Sequence, residues 1–174
     1  MSIQGSQPEN KSFLSPIGFK FTIQRLPHVN YFCTSVELPE ISIGQITTIQ
    51  NPFIRLPVPG DKLDFGLLNI RFRVDEDMKN FQEIYDWLIA LGFPDNFAQR
   101  GAIQRTTTNV GEVYSDGSLI LTTAQFQPNI EVKFTDMYPT SLSAVQFDIE
   151  RTDIEYLQAD VNFAFRKYEL TTIS

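Results

Sequence analysis

A histidine and a cysteine stand five residues apart, His28 in "LPHVN" and Cys33 in "YFCTS", and each is the only one of its kind among the 174 residues. A thiol beside an imidazole is the reagent of nucleophilic catalysis, because the imidazole takes the thiol proton. That chemistry needs the two side chains to meet, and residues an odd number apart on a strand project from opposite faces. The pair therefore reads as a turn histidine followed by a buried strand cysteine. The acidic run "DEDMKN", residues 75–80, has the look of a calcium loop. An EF-hand would need glycine at its sixth position and glutamate at its twelfth; counted from Asp75, those are Asn80 and Asp86. The acids suit a helix start instead. The sequence holds no glycine-rich phosphate cradle, no paired-cysteine zinc spacing and no Gly-x-Ser-x-Gly elbow. Among its 21 Asp and Glu no pair is singled out as an acid–base couple. The chain reads as a non-enzyme, with no catalytic residue, metal or cofactor.

Charge and composition narrow the partners. A net charge of −7 argues against gripping nucleic acid through its phosphates, which takes clustered Lys and Arg. It suits simple solubility first, and is also compatible with a surface that nucleic acid slides past without sticking. A lone cysteine leaves no internal disulfide and points to a reducing compartment. The start, "MSIQGSQPENKS", lacks a basic stretch followed by an apolar one, and no segment approaches the about 20 apolar residues of a membrane span. A soluble protein made in the cytoplasm, without a membrane anchor, is expected.

The elements that would position these residues are mostly strands, as 15 phenylalanines suggest. Residues 1–15 are polar and read as a flexible arm, and 16–174 as a single domain. "PIGFKFTIQ" alternates, with Ile17, Phe19, Phe21 and Ile23 opposite Lys20, Thr22 and Gln24. "YFCTSVEL" follows after a turn, and the two are expected to form a hairpin. "KLDFGLLNIRFRVD" places Leu68, Ile70, Phe72 and Val74 opposite Asn69, Arg71 and Arg73. One amphipathic helix is expected from Asp75 to Gly92, its stripe formed by Met78, Phe81, Tyr85 and Leu88 and widened by Ile84 and Leu91. Residues 93–117 read as a mobile loop. Strands resume in "SLILTTAQF", "NIEVKFTDMYP", "SAVQFDIE" and "YLQADVNFAFRKYEL", with "RTDIEY" as the connection of a last hairpin. The fold class is mainly β, an antiparallel barrel or sandwich of about 7–8 strands with one helix packed on it.

Residues 40–60 fit this scheme poorly, being apolar and proline-studded with no tidy period, and "VPGD" at 58–61 reads as a turn. The segment carries Ile41, Ile43, Ile46, Ile49, Phe53, Ile54, Leu56 and Val58. A fully buried side chain of this kind contributes about 1.5–3 kcal/mol, while each residue fixed costs about 1–2 kcal/mol. Such a loop, and the arm, are expected to order only when a neighbouring copy covers them.

The order of signals resembles the tail-tube proteins of T-even-like contractile bacteriophages. The resemblance rests on Cys33 shortly before Leu38-Pro39, then Gly60-Asp61 and Phe65 after the long loop. It continues through the acidic turn into a helix bearing Trp87, then Tyr138-Pro139-Thr140 before the closing strands. It spans roughly residues 17–170. The polar arm and the 93–117 loop are closer to relatives that initiate or cap the tube at the baseplate. The tube protein of type VI secretion is a more distant cousin.

The resemblance implies a homo-hexameric ring, stacking of rings into a hollow tube, contact with sheath and with baseplate or neck proteins, and transient passage of DNA during genome ejection. It implies a virion tail location after assembly in the host cytoplasm. Residues 40–60 would then be the inter-subunit contact. Thr22, Gln24, Thr34 and Asn162 would make a hydrated lumen wall, with Asp148 and Glu150 repelling DNA. An open sheet edge paired by a sister copy gives the same assembly on physical grounds. The alternatives are a secretion-system tube protein and, from another class, a soluble β-barrel module binding a small ligand.

Overall fold

In the computed structural model, residues 13–48, 56–92, 98–99, 113–150 and 155–173 are described. Most of the polar arm, most of the 93–117 loop, the four residues 151–154, and Ile49, Phe53 and Ile54 lie outside them. Among the described residues, nine strands and two helices run in the order β1 (Phe19–Ile23), α1 (Pro27–Phe32), β2 (Cys33–Glu37), β3 (Ile41–Thr48), β4 (Leu56–Phe65), β5 (Leu68–Arg73), α2 (Lys79–Gly92), β6 (Ser115–Thr122), β7 (Pro128–Leu142), β8 (Gln158–Ala164) and β9 (Lys167–Thr172). All pairings are antiparallel.

The centre is β7, 15 residues long. Its first part carries β6 on one side and β9 on the other, and its last residues carry β8. Beyond β6 lies β1; beyond β8 lie β5 and then β2. β8 and β9 are two halves of one bent strand, since Tyr138 faces Ala164 and Thr135 faces Lys167 in an unbroken register. The bend falls at Arg166, whose Nε bonds Asp136 at 3.3 Å, and Asp136 itself sits at φ 55° in a bulge, its N–H held by the Asp116 carboxylate at 3.1 Å.

Alternation decides which faces meet. Phe21 and Ile23 of β1, Leu68, Ile70 and Phe72 of β5, Val132, Phe134 and Met137 of β7, and Ala159, Val161 and Phe163 of β8 are all buried in one core. Each such aromatic or aliphatic group removed from water contributes about 1.5–3 kcal/mol. Helix α2 closes the core with Ile84, Trp87 and Ala90.

Several expectations are corrected. The first two strands form no hairpin: β1 pairs β6 and β2 pairs β5. The "turn" between them is α1, started by Pro27, whose fixed φ suits a first helical position. Asn30 of that helix then occupies the end of β1, accepting from Ile23 N–H at 2.7 Å and donating to Ile23 C=O at 2.8 Å.

The long helix starts at Lys79, not Asp75, after Met78 at φ 54°. Its buried stripe is Asn80, Ile84, Trp87 and Ala90, which leaves Tyr85 at 51% exposure. Asp75 caps it, accepting from Asn80 N–H at 3.3 Å while Asn80 Oδ1 accepts from Asp75 N–H.

"SAVQFDIE" is no strand despite its alternation, because both edges of β8 are already taken by β5 and β7. Phe147 is mostly exposed and Ile149 is 100% exposed. The closing hairpin through "RTDIEY" therefore does not form.

Candidate assembly interface

Residues 40–60, expected to be an irregular loop, contain most of a separate two-stranded ribbon of β3 and β4. Ile41 faces Phe65, Ile43 faces Leu63, and Ile46 faces Val58. The supposed turn "VPGD" lies inside β4. Prolines are tolerated there because, among the described residues, neither strand has a partner on its outer edge. A bulge between Ile43 and Gln45 lets the two backbones approach so closely that a Cβ on Gly60 would lie 2.6 Å from the Gly44 carbonyl oxygen. Glycine is required at that crossing.

The base of the ribbon is fastened to the body by aromatic rings. Phe65 lies 5.8 Å from Phe165 and 5.5 Å from Tyr168, both of which contact Phe134. Tyr168 donates its hydroxyl to the Pro39 carbonyl at 3.4 Å, and Gly66 N–H bonds Glu40 C=O at 3.0 Å. Beyond this base the ribbon is uncovered among the described residues. Of the expected contact residues, Ile41, Ile43 and Val58 are exposed, as is Leu63 at 59%. Ile46 and Leu56 are placed in the strands, and Ile49, Phe53 and Ile54 lie outside the described residues.

A second surface is polar. On β2, β5, β8 and the last residues of β7, the faces turned away from the core carry Thr34, Asn69, Arg71, Asp160, Asn162 and Ser141. They bond one another: Asn69 Nδ2 donates to Asn162 Oδ1 at 2.9 Å, and Asn162 Nδ2 to Ser141 Oγ at 2.9 Å. Arg71 Nε donates to Asp160 Oδ1 at 2.7 Å, and Thr34 Oγ1 to Arg71 C=O at 3.1 Å. Of the residues expected to line a lumen, Thr34 and Asn162 share this surface. Thr22 belongs to β1 on the other half of the sheet, and Gln24 follows that strand. Asp148 and Glu150 are exposed on a connection, with Glu150 N–H donating to Asp148 Oδ1 at 2.9 Å. The fold does not bring those two to a sheet face.

The residues with chemical potential are dispersed. His28, in α1 and not in a turn, pairs with Glu83 of α2, while the Cys33 thiol reaches toward the Ser35 carbonyl at 3.8 Å. Burial pushes that thiol up to about 11, the opposite of an activated nucleophile. Among the described residues no group of three His, Cys, Asp or Glu could hold a metal, and no helix is long and apolar enough to cross a membrane.

No protein-family model matches the chain. Over 115 residues it is 28% identical to the tail tube terminator protein of Enterobacteria phage T4, a match spanning 65% of this chain and 61% of that relative's length. Its fold matches the anti-feeding prophage tube terminating cap with a TM-score of 0.61 at 17% identity, over 99% of this chain and 100% of that one. A chain of the extended PVC sheath/tube terminator gives 0.62 at 17% identity over 93% and 99%. One from the PVC sheath-tube complex gives 0.63 at 14% identity over 94% of both.

The chain shares the fold of these tube and terminator chains. That likeness in fold, mainly antiparallel β, extends over nearly the whole sequence. The low identities are compatible with that, because the burial pattern of β5, β7 and β8 can be met by many combinations of aliphatic and aromatic residues.

Proposed function

We propose that the chain is a non-enzymatic structural subunit of a contractile tail, forming a hexameric ring at an end of the tube. The observation that carries this reading is the sequence match to a tube terminator, supported by full-length fold matches to a terminating cap and a sheath/tube terminator. The uncovered β3–β4 ribbon supports the assembly part. Two strands alone are marginal in water, and a row of apolar side chains on them invites a covering neighbour. Ile41, Ile43, Ile46, Ile49, Phe53, Ile54, Leu56 and Val58 are proposed to supply that contact. The polar surface bearing Thr34 and Asn162 is proposed to face the channel through which DNA passes. Sheath and baseplate or neck proteins are the proposed neighbours, and the virion tail the proposed location.

Electron microscopy of tails carrying a gold-labelled chain tests the placement. A terminal ring gives label at one end of each tube. Label along the whole length would make it the repeating tube subunit, and no label on tails, with a monomer at every concentration in solution, would overturn the proposal.

A further inference from the structure

The polar surface on β2, β5, β8 and Tyr138–Leu142 of β7 contains two cations in its strand sequences, Arg71 and Arg73, and two acids, Glu37 and Asp160. Both arginines are engaged. Arg71 and Asp160 are direct cross-strand partners, joined by Nε to Oδ1 at 2.7 Å and Nη2 to Oδ2 at 3.4 Å. The Asp160 carboxylate, with a smaller contribution from Glu37, holds the Arg71 guanidinium above its ordinary pKa. The guanidinium of Arg73 lies over the Tyr156 ring at 5.5 Å. The Asp160 main chain is anchored, its backbone N–H donating to Ser143 Oγ at 2.8 Å. The neighbouring amides and hydroxyls bond to one another or to the backbone: Asn69 to Asn162, Asn162 to Ser141, Thr34 to Arg71 C=O, and Thr140 to Asn162 C=O at 3.0 Å.

Capture of a polyanion begins with a Lys or Arg whose donors are free to meet phosphate oxygens and release counterions. A guanidinium is the best side chain for that task, because its fork matches phosphate as well as carboxylate. With the Nε/Nη2 edge of the guanidinium held by Asp160, a phosphodiester that is to take that edge has to displace a carboxylate that is already aligned and charge-matched.

We propose that Asp160 masks Arg71, so that this surface stays polar and hydrated yet does not adhere to duplex nucleic acid moving along it. The proposal rests on the channel reading only for the presence of DNA; the masking itself is a property of the single chain. It also explains why a surface that should not bind DNA carries an arginine at all. The ion pair fixes the register of β5 against β8, and its acid cancels the adhesive side effect.

The test follows the Arg71 Nε–H resonance and the backbone amides of β5 and β8 by NMR, as the isolated chain is titrated with a short DNA duplex at low ionic strength. The wild type is expected to show no shift. Asp160→Asn, which keeps the shape and an acceptor oxygen, is expected to show saturable shifts centred on Arg71. Added salt should erase those shifts, and Arg71→Gln in the same background should remove them from the backbone amides. Spectral dispersion reports that each variant is folded. The proposal is overturned if Asp160→Asn is as indifferent as the wild type, or if the wild type already shifts as much, in which case the pair is an ordinary surface salt bridge. Either result leaves the tail-end placement standing, while a chain absent from tails would leave the masking measurement unaffected.

Discussion

The side-chain amide of Asn30 makes a two-bond ring with the backbone of Ile23, accepting from its N–H at 2.7 Å and donating to its C=O at 2.8 Å. A helix residue thereby takes the place of a neighbouring strand at the end of β1. Asn30→Ala leaves the Ile23 N–H without its partner at a buried residue, while the carbonyl keeps only a 3.4 Å bond from Leu26 N–H, which costs about 1–3 kcal/mol. Asn30→Asp retains the acceptor and is expected to lose less. Urea midpoints at unchanged slope measure both; equal midpoints for wild type and Asn30→Ala would show the ring to be dispensable.

Trp87 is 2% exposed, rests 6.1 Å from Phe163, donates Nε1–H to Val113 C=O at 3.2 Å and carries the Arg25 guanidinium over its ring at 4.8 Å. Trp87→Ala should destabilise by about 3–5 kcal/mol. It is the one tryptophan, so its emission should be blue-shifted in the native state and move red in a single transition with the loss of β-sheet signal.

Asn80 is fully buried and supports the turn before α2, donating to Arg73 C=O at 2.7 Å and accepting from Asp75 N–H. Asn80→Leu fills the space but orphans both groups, with an expected cost of about 1–3 kcal/mol. Because Asp75 and Asn80 share bonds, Asp75→Ala and Asn80→Leu should be non-additive in a double-mutant cycle. Simple additivity would argue against a shared capping unit.

The raised thiol of Cys33 gives a pH dependence of definite sign. Because the native state holds this proton more tightly than the unfolded chain, the contribution is intact at neutral pH. It is lost as pH rises from 9.0 through about 11. Relative to Cys33→Ala, the wild type should lose stability across that window, and its native thiol should alkylate far more slowly at pH 8 than the unfolded one. A stability difference flat across the window would contradict this.

Ile43→Lys and Leu63→Lys change exposed side chains of the ribbon, so the stability of the single chain should stay within about 0.5 kcal/mol of wild type. Ring formation and incorporation into tails, followed by light scattering and electron microscopy, should be lost. Unimpaired assembly would remove the ribbon from the interface.

The strict alternation of β5 and β8 made their buried faces legible, since a strand with one face in the core and one in water has few other ways to be written. Alternation also misled at residues 143–150, because periodicity records which side chains are apolar and not whether an edge is free to pair. Helix α1 is only six residues long, too short for a helical period to show, and its Pro27 signalled a turn equally well. In the ribbon the prolines of β4 looked like breakers because the missing partner on their outer side was invisible. At the polar surface, Thr34 and Asn162 could be read from the side of the strand they occupy. That Arg71 meets Asp160, 89 residues away, depends on a pairing no local signal announces.

The shared strand β7 has a mechanical consequence. Tension along the chain between its ends loads the ladders to β6, β8 and β9 together, in shear and not one bond after another. The two half-sheets therefore cannot be peeled apart in sequence, and any give under load is expected first at the bulge beside Asp136, where the ladder to β6 already slips. A single segment thus serves as the keel of the fold.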